Sequence, residues 1–211
     1  MKNLLNELTN EQLIENILSV YNLATEAQKI ENARWYEIAY SDCAQIGETF
    51  GIDTKTSVAV CAVLSSNNSW NRNLIDLVKV LSAYNSGQLT ELTEAYQTTD
   101  KRAYSALAVG TYSPNIEKAY RILRGDFSAL RGIKVEAFFN NIYFPESSVV
   151  TIDFHAYSIA TGIRYTTKNV PTIKSKDNAR LQEAYITASD RLGILPKQLQ
   201  AITWVIWRQI K

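Results

Sequence analysis

Lys134 and Asp153 are the two residues of this chain whose types and spacing suit covalent chemistry. Lys134 stands in Gly132-Ile133-Lys134-Val135, and Asp153 follows nineteen residues later in Val149-Val150-Thr151-Ile152-Asp153-Phe154-His155. One apolar helical stretch, Val135 to Tyr143, lies between them. An amine at one end of such a helix and a carboxylate beyond the other can converge on one cleft. A nucleophilic amine with an acidic partner is what breaking an N-glycosidic bond through a Schiff base requires. The amine must be neutral to attack C1′, which partial burial and a helix N-terminus both favour. The carboxylate would stabilise the positive charge that develops on the sugar as the base departs. Each residue also has a plainer use: Lys134 as a solvated lysine at a helix start, Asp153 as an N-cap before Phe-His-Ala-Tyr.

The elements that must position these two are helical. Leu13, Ile14, Ile17, Leu18 and Tyr21 recur at helical spacing behind Thr9-Asn10-Glu11-Gln12, a capping sequence. A second helix is predicted over 33–50, stopped at Gly51, and a nearly all-apolar, central one over 57–64. Ser65-Ser66-Asn67-Asn68-Ser69 breaks the pattern. Further helices are expected over 70–84, 91–96, 101–109, 115–123, 154–161, 178–192 and 197–210, with the longest loop over 166–175. The one compact β-branched run, Val149-Val150-Thr151-Ile152, is too short to make a sheet. The fold class is all-α.

The chain of 211 residues suits one domain, or two small lobes sharing a core. Its 46% apolar and 20% charged residues are those of a globular protein rather than a disordered one. No apolar run approaches bilayer-spanning length, and Met1-Lys2-Asn3 leads into Leu-Leu-Asn-Glu rather than a signal sequence. That reading places the protein in the cytoplasm, with no membrane partner. Cys43 and Cys61 fall within helical apolar patterns and are expected as buried free thiols. With no tract of Cys and His, no metal and no other cofactor is expected. Net charge is +1, unevenly spread: residues 1–113 hold 8 Lys/Arg against 13 Asp/Glu, and residues 114–211 hold 14 against 8. A basic second half is compatible with a phosphate backbone, and equally with ordinary solvated helix faces.

Three segments in order carry a family resemblance over roughly residues 57–165. Ser65 to Arg72 resembles the helix-breaking loop of the 8-oxoguanine DNA glycosylases, members of the helix-hairpin-helix glycosylase superfamily. Gly132-Ile133-Lys134-Val135-Glu136-Ala137 resembles the end of their hairpin, where the catalytic lysine starts a helix. Val150 to Ala156 resembles their catalytic aspartate turn. The resemblance implies a single glycosylase-like domain over 1–211, two interleaved helical lobes flanking an active-site cleft, and a hairpin-like segment over 126–143. It implies an enzyme, a DNA glycosylase with AP-lyase activity, excising an oxidised or modified purine with 8-oxoguanine favoured. Lys134 and Asp153 would be catalytic. Asn67 and Arg72 would read the base opposite the lesion, Tyr112 would wedge the opened duplex, and His155 would lie near the lesion phosphate. The partner would be double-stranded DNA with a flipped base, bound by a monomer.

The chain also departs from the family pattern. Ser128-Ala129-Leu130-Arg131-Gly132-Ile133-Lys134 lacks the first hairpin glycine, so Arg131 and Gly132 are left to contact a phosphate. Ser113 stands where a basic residue commonly follows the wedge tyrosine. Trp204 and Trp207 are candidates to stack a flipped base, although their spacing on a terminal helix also suits core packing. Two other functions fit the same residues. One is a base-hypermodification enzyme that acts on thymine derivatives and leaves the glycosidic bond intact, separable by mass spectrometry of treated nucleosides. The other is a non-catalytic nucleic-acid-binding helical module.

Overall fold

A computed structural model describes residues 4–66 and 68–210. It is all-α, with no strand among the described residues. In chain order the helices are α1 (Asn10–Asn22), α2 (Glu26–Ala33), α3 (Trp35–Thr49), α4 (Thr54–Leu64), α5 (Trp70–Asn85) and α6 (Gln88–Thr98). There follow α7 (Ser113–Leu123), α8 (Ile133–Tyr143), α9 (Phe154–Thr161), α10 (Ser175–Leu192) and α11 (Pro196–Gln209). Among the described residues no helix is long and apolar enough to cross a membrane.

The chain divides into two compact units, Met1–Ile38 with Asn140–Lys211, and Ala39–Phe139. It crosses between them inside α3 and inside α8.

In the first unit α1 packs on α9, α10 and α11, while α2 packs on α11. Leu13, Ile17, Tyr157, Ile159, Leu181, Tyr185 and Leu199 are fully buried in its core. Each such side chain contributes about 1.5–3 kcal/mol by leaving water. Both α1 and α2 begin with a capping box, in which Thr9 pairs with Gln12 and Thr25 with Gln28. The expected start of α1 at Thr9 is found, but α2 has no buried residue and left no apolar stripe to read. Helix α2 is therefore not among the expected helices, and the helix expected over 33–50 is α3, which begins at Trp35.

Residues 149–152, between α8 and α9, belong to no helix, and Val150, Thr151 and Ile152 are buried. A buried segment outside any helix carries backbone groups that need partners. Gln182 of α10 supplies them. Its Nε2 donates to Val150 O and its Oε1 accepts from Val150 N, both at 2.7 Å, so one side-chain amide satisfies both backbone groups of Val150.

In the second unit α4 is the centre, packed on α5 and α7. Every residue from Thr56 to Leu64 is buried, as the apolar run predicts. Asp53 caps α4 by accepting from Thr56 N at 3.0 Å. Cys43 and Cys61 are buried free thiols, as expected. The helix expected over 101–109 is not formed. Only a short 3-10 turn, Ala103–Leu107, is present, ended by Ala108 in the left-handed region at φ 48°.

Candidate functional site

The second unit holds Lys134. Its helix α7 is followed by a 3-10 turn, Phe127–Ala129, and then by α8. Gly132 precedes α8 at φ 120°, a conformation only glycine adopts without strain. Arg131, Gly132 and Lys134 are exposed, and so is Ile133 at 48%. The partial burial expected of Lys134 is therefore not found, and its place in the first turn of α8 is what remains. The Gly132 N–H is not presented to a ligand. It donates to Glu136 Oε1 at 2.9 Å, so a carboxylate already stands where a phosphate would bind. Arg121 and Asp126 pair across the preceding turn at 2.6 Å. Hydrogen bonds from Ser128 and then this guanidinium hold the Asp126 carboxyl below the usual range.

The first unit holds Asp153. It caps α9, with Oδ1 accepting from Ala156 N at 2.8 Å and Oδ2 from Trp204 Nε1 at 3.2 Å. Both donors are neutral, and the side chain stays part-exposed. Around it lies an aromatic group. His155 stacks on Phe154 at 3.8 Å between ring centroids and meets Trp204 edge-on at 5.9 Å. Trp35 lies 6.1 Å from Trp204, and the Arg208 guanidinium sits 4.4 Å over the Trp204 ring. Trp204 thus serves the carboxylate rather than the core, whereas Trp207 packs against the core and carries Arg164 over its ring at 4.5 Å.

A polar network backs the segment that leads to Asp153. Tyr36 donates its hydroxyl to Gln200 Oε1 at 2.7 Å and lies 3.2 Å from Thr151 Oγ1. Asn141 Nδ2 donates to the same Thr151 oxygen at 3.1 Å, and Ser147 donates to Asn141 Oδ1 at 2.8 Å. Burial pushes the Tyr36 hydroxyl up to about 12. Lys197, unnoticed in the sequence, is a buried amine. It donates to Phe144 O at 2.9 Å and Asn141 O at 3.2 Å, which closes the C-terminal end of α8, and burial lowers its pKa.

The remaining expected contact residues divide. Asn67 lies outside the described residues. Arg72 is tied into the second unit: its Nε donates to Asp76 Oδ1 at 2.9 Å and its Nη2 to Ala108 O at 2.6 Å. Tyr112 is 56% exposed, and its carbonyl accepts from Asn115 N at the start of α7. Asp76, which no motif pointed to, is fully buried. The available signal was its register: with Asn73, Leu77 and Val80 it lies on the inward face of α5, while Ile75 and Val78 point outward.

Among the described residues no group of three or more His, Cys, Asp or Glu could hold a metal ion. No curated protein and no solved structure matches the chain. A family model does match over residues 1–211, and the chain belongs to that family, DUF7178, a family of unknown function.

Proposed function

For a member of that family, we propose DNA glycosylase and AP-lyase chemistry on an oxidised or modified purine, with a helix-hairpin-helix glycosylase-like fold. One observation carries the reading. Asp153 is a carboxylate whose two oxygens are oriented by a backbone N–H and an indole N–H, yet which keeps access to solvent. A fixed, part-exposed anion of this kind is suited to a developing oxocarbenium charge, because its field is aligned before reaction begins. The succession of α7, a 3-10 turn, a glycine at φ 120° and Lys134 in the first turn of α8 adds support. The sequence resemblance supplies the substrate class.

The chemistry follows from these groups. The neutral Lys134 amine attacks C1′, the N-glycosidic bond breaks, and the base leaves with the bonding electron pair and takes up a proton. The amine loses its proton to solvent and, as the sugar ring opens, becomes a Schiff base. Loss of a proton from C2′ then expels the 3′-phosphate and nicks the strand, and water releases the lysine.

Borohydride reduction tests this directly. With an 8-oxoguanine duplex the wild type is expected to form a covalent adduct that Lys134→Ala does not form. Asp153→Asn should slow base release by about 10²-fold or more. Absence of any adduct with oxidised or modified duplexes sinks the lyase reading. One observation favours a second function, a non-catalytic nucleic-acid-binding module: Lys134 is exposed, without the burial that would favour a neutral nucleophilic amine. That reading expects duplex binding to survive both substitutions, with no base released by the wild type.

A further inference from the structure

Asp76 draws together three segments of the second unit from a position with no solvent access. Its Oδ1 accepts from Arg72 Nε at 2.9 Å, and its Oδ2 accepts from Gly110 N at 2.7 Å and Asn68 Nδ2 at 2.9 Å. Asn68 belongs to the break before α5, Arg72 to the first turn of α5, and Gly110 to the loop that ends at Tyr112. The loop is held a second time at Ala108, the one non-glycine residue at positive φ among those described. Its carbonyl accepts from Arg72 Nη2 at 2.6 Å and Lys79 Nζ at 2.7 Å. The packing is close enough to exclude a side chain at Gly110, where a Cβ would lie 2.5 Å from Asn68 Oδ1.

Loops of this length ordinarily move, and a mobile loop loses conformational entropy whenever it orders on a ligand. Here a buried carboxylate and two cations remove that cost in advance. We propose that Asp76 is a positioning residue: with Arg72 it holds the 108–112 loop in the arrangement that presents Tyr112 to nucleic acid. This assignment rests on the nucleic-acid reading above. Asp76 itself touches no ligand and acts through the loop.

Hydrogen exchange and a double-substitution cycle test it. In Asp76→Asn the Gly110 amide should exchange at least about tenfold faster while the α4 amides keep their protection. Binding to a labelled 8-oxoguanine duplex should weaken about tenfold in the wild-type background and less than about twofold in Tyr112→Ala, because the loop then has nothing to present. Gly110→Ala, which displaces the loop without altering the carboxylate, should give the same pattern. Unchanged exchange, or equal weakening in both backgrounds, would overturn the assignment alone. No duplex binding by the wild type would overturn the nucleic-acid reading and this assignment with it.

Discussion

Asp76 and Asp153 are two carboxylates with opposite surroundings. Asp76 is enclosed, answered by the Arg72 guanidinium and by two further donors. Asp153 is part-exposed and answered by two neutral donors. An enclosed carboxylate with a cation against it has its charge spent within the fold, so its removal strands the partner. A carboxylate oriented by neutral dipoles keeps its net charge for whatever approaches. The contrast separates a structural anion from one that is available for chemistry, and it does so without reference to any relative.

The largest test of that contrast is Asp76→Ala. It leaves Arg72, Asn68 and the Gly110 amide without their acceptor and should cost about 3 kcal/mol in urea unfolding, the lower end for a broken buried pair because Arg72 is partly exposed. A loss below about 1 kcal/mol would erase the distinction. Lys197→Met comes next, because it removes the donor that two carbonyls share, and about 2 kcal/mol is expected.

The pH dependence of Lys197 has a definite sign. Its folded pKa lies below the unfolded value of 10.5, so between the two the unfolded chain binds more protons. Wild-type stability should therefore rise with pH in that window relative to Lys197→Met. A flat difference as pH rises towards 10.5 would show that burial does not penalise the ammonium.

Asp153→Ala should cost only about 1 kcal/mol, the value of an N-cap, while abolishing base release. A stability loss as large as that of Asp76→Ala would make Asp153 structural as well. The smallest effect is expected from Glu136→Gln. Removing the charge beside the Gly132 amide should strengthen duplex binding severalfold at low salt, and weaker binding would count against a phosphate contact there.

Local grammar made much of this protein legible. Thr9 and Asp153 are caps that a sequence announces, since a short acceptor before an apolar periodic run has one efficient use. The all-apolar run of α4 could only be central. Where local and long-range forces compete, legibility fails. The 101–109 segment has helix-forming residues, but Asp76 takes the Gly110 amide and Arg72 and Lys79 take the Ala108 carbonyl, so its backbone bonds go elsewhere. Helix α2 escaped detection for the converse reason, as it is capped but buries none of its residues.

The candidate site divides in the same way. Residue type and interval are properties of the chain alone, and they were enough to single out Lys134 and Asp153 and to show that a carboxylate would begin α9. Partners distant in sequence are not written in any local pattern. The indole of Trp204 on Asp153, the amide of Gln182 along Val150 and the enclosure of Asp76 arise only when the helices pack. Hydrogen bonds and burial act over a few ångströms, and which groups come within that range is decided by folding.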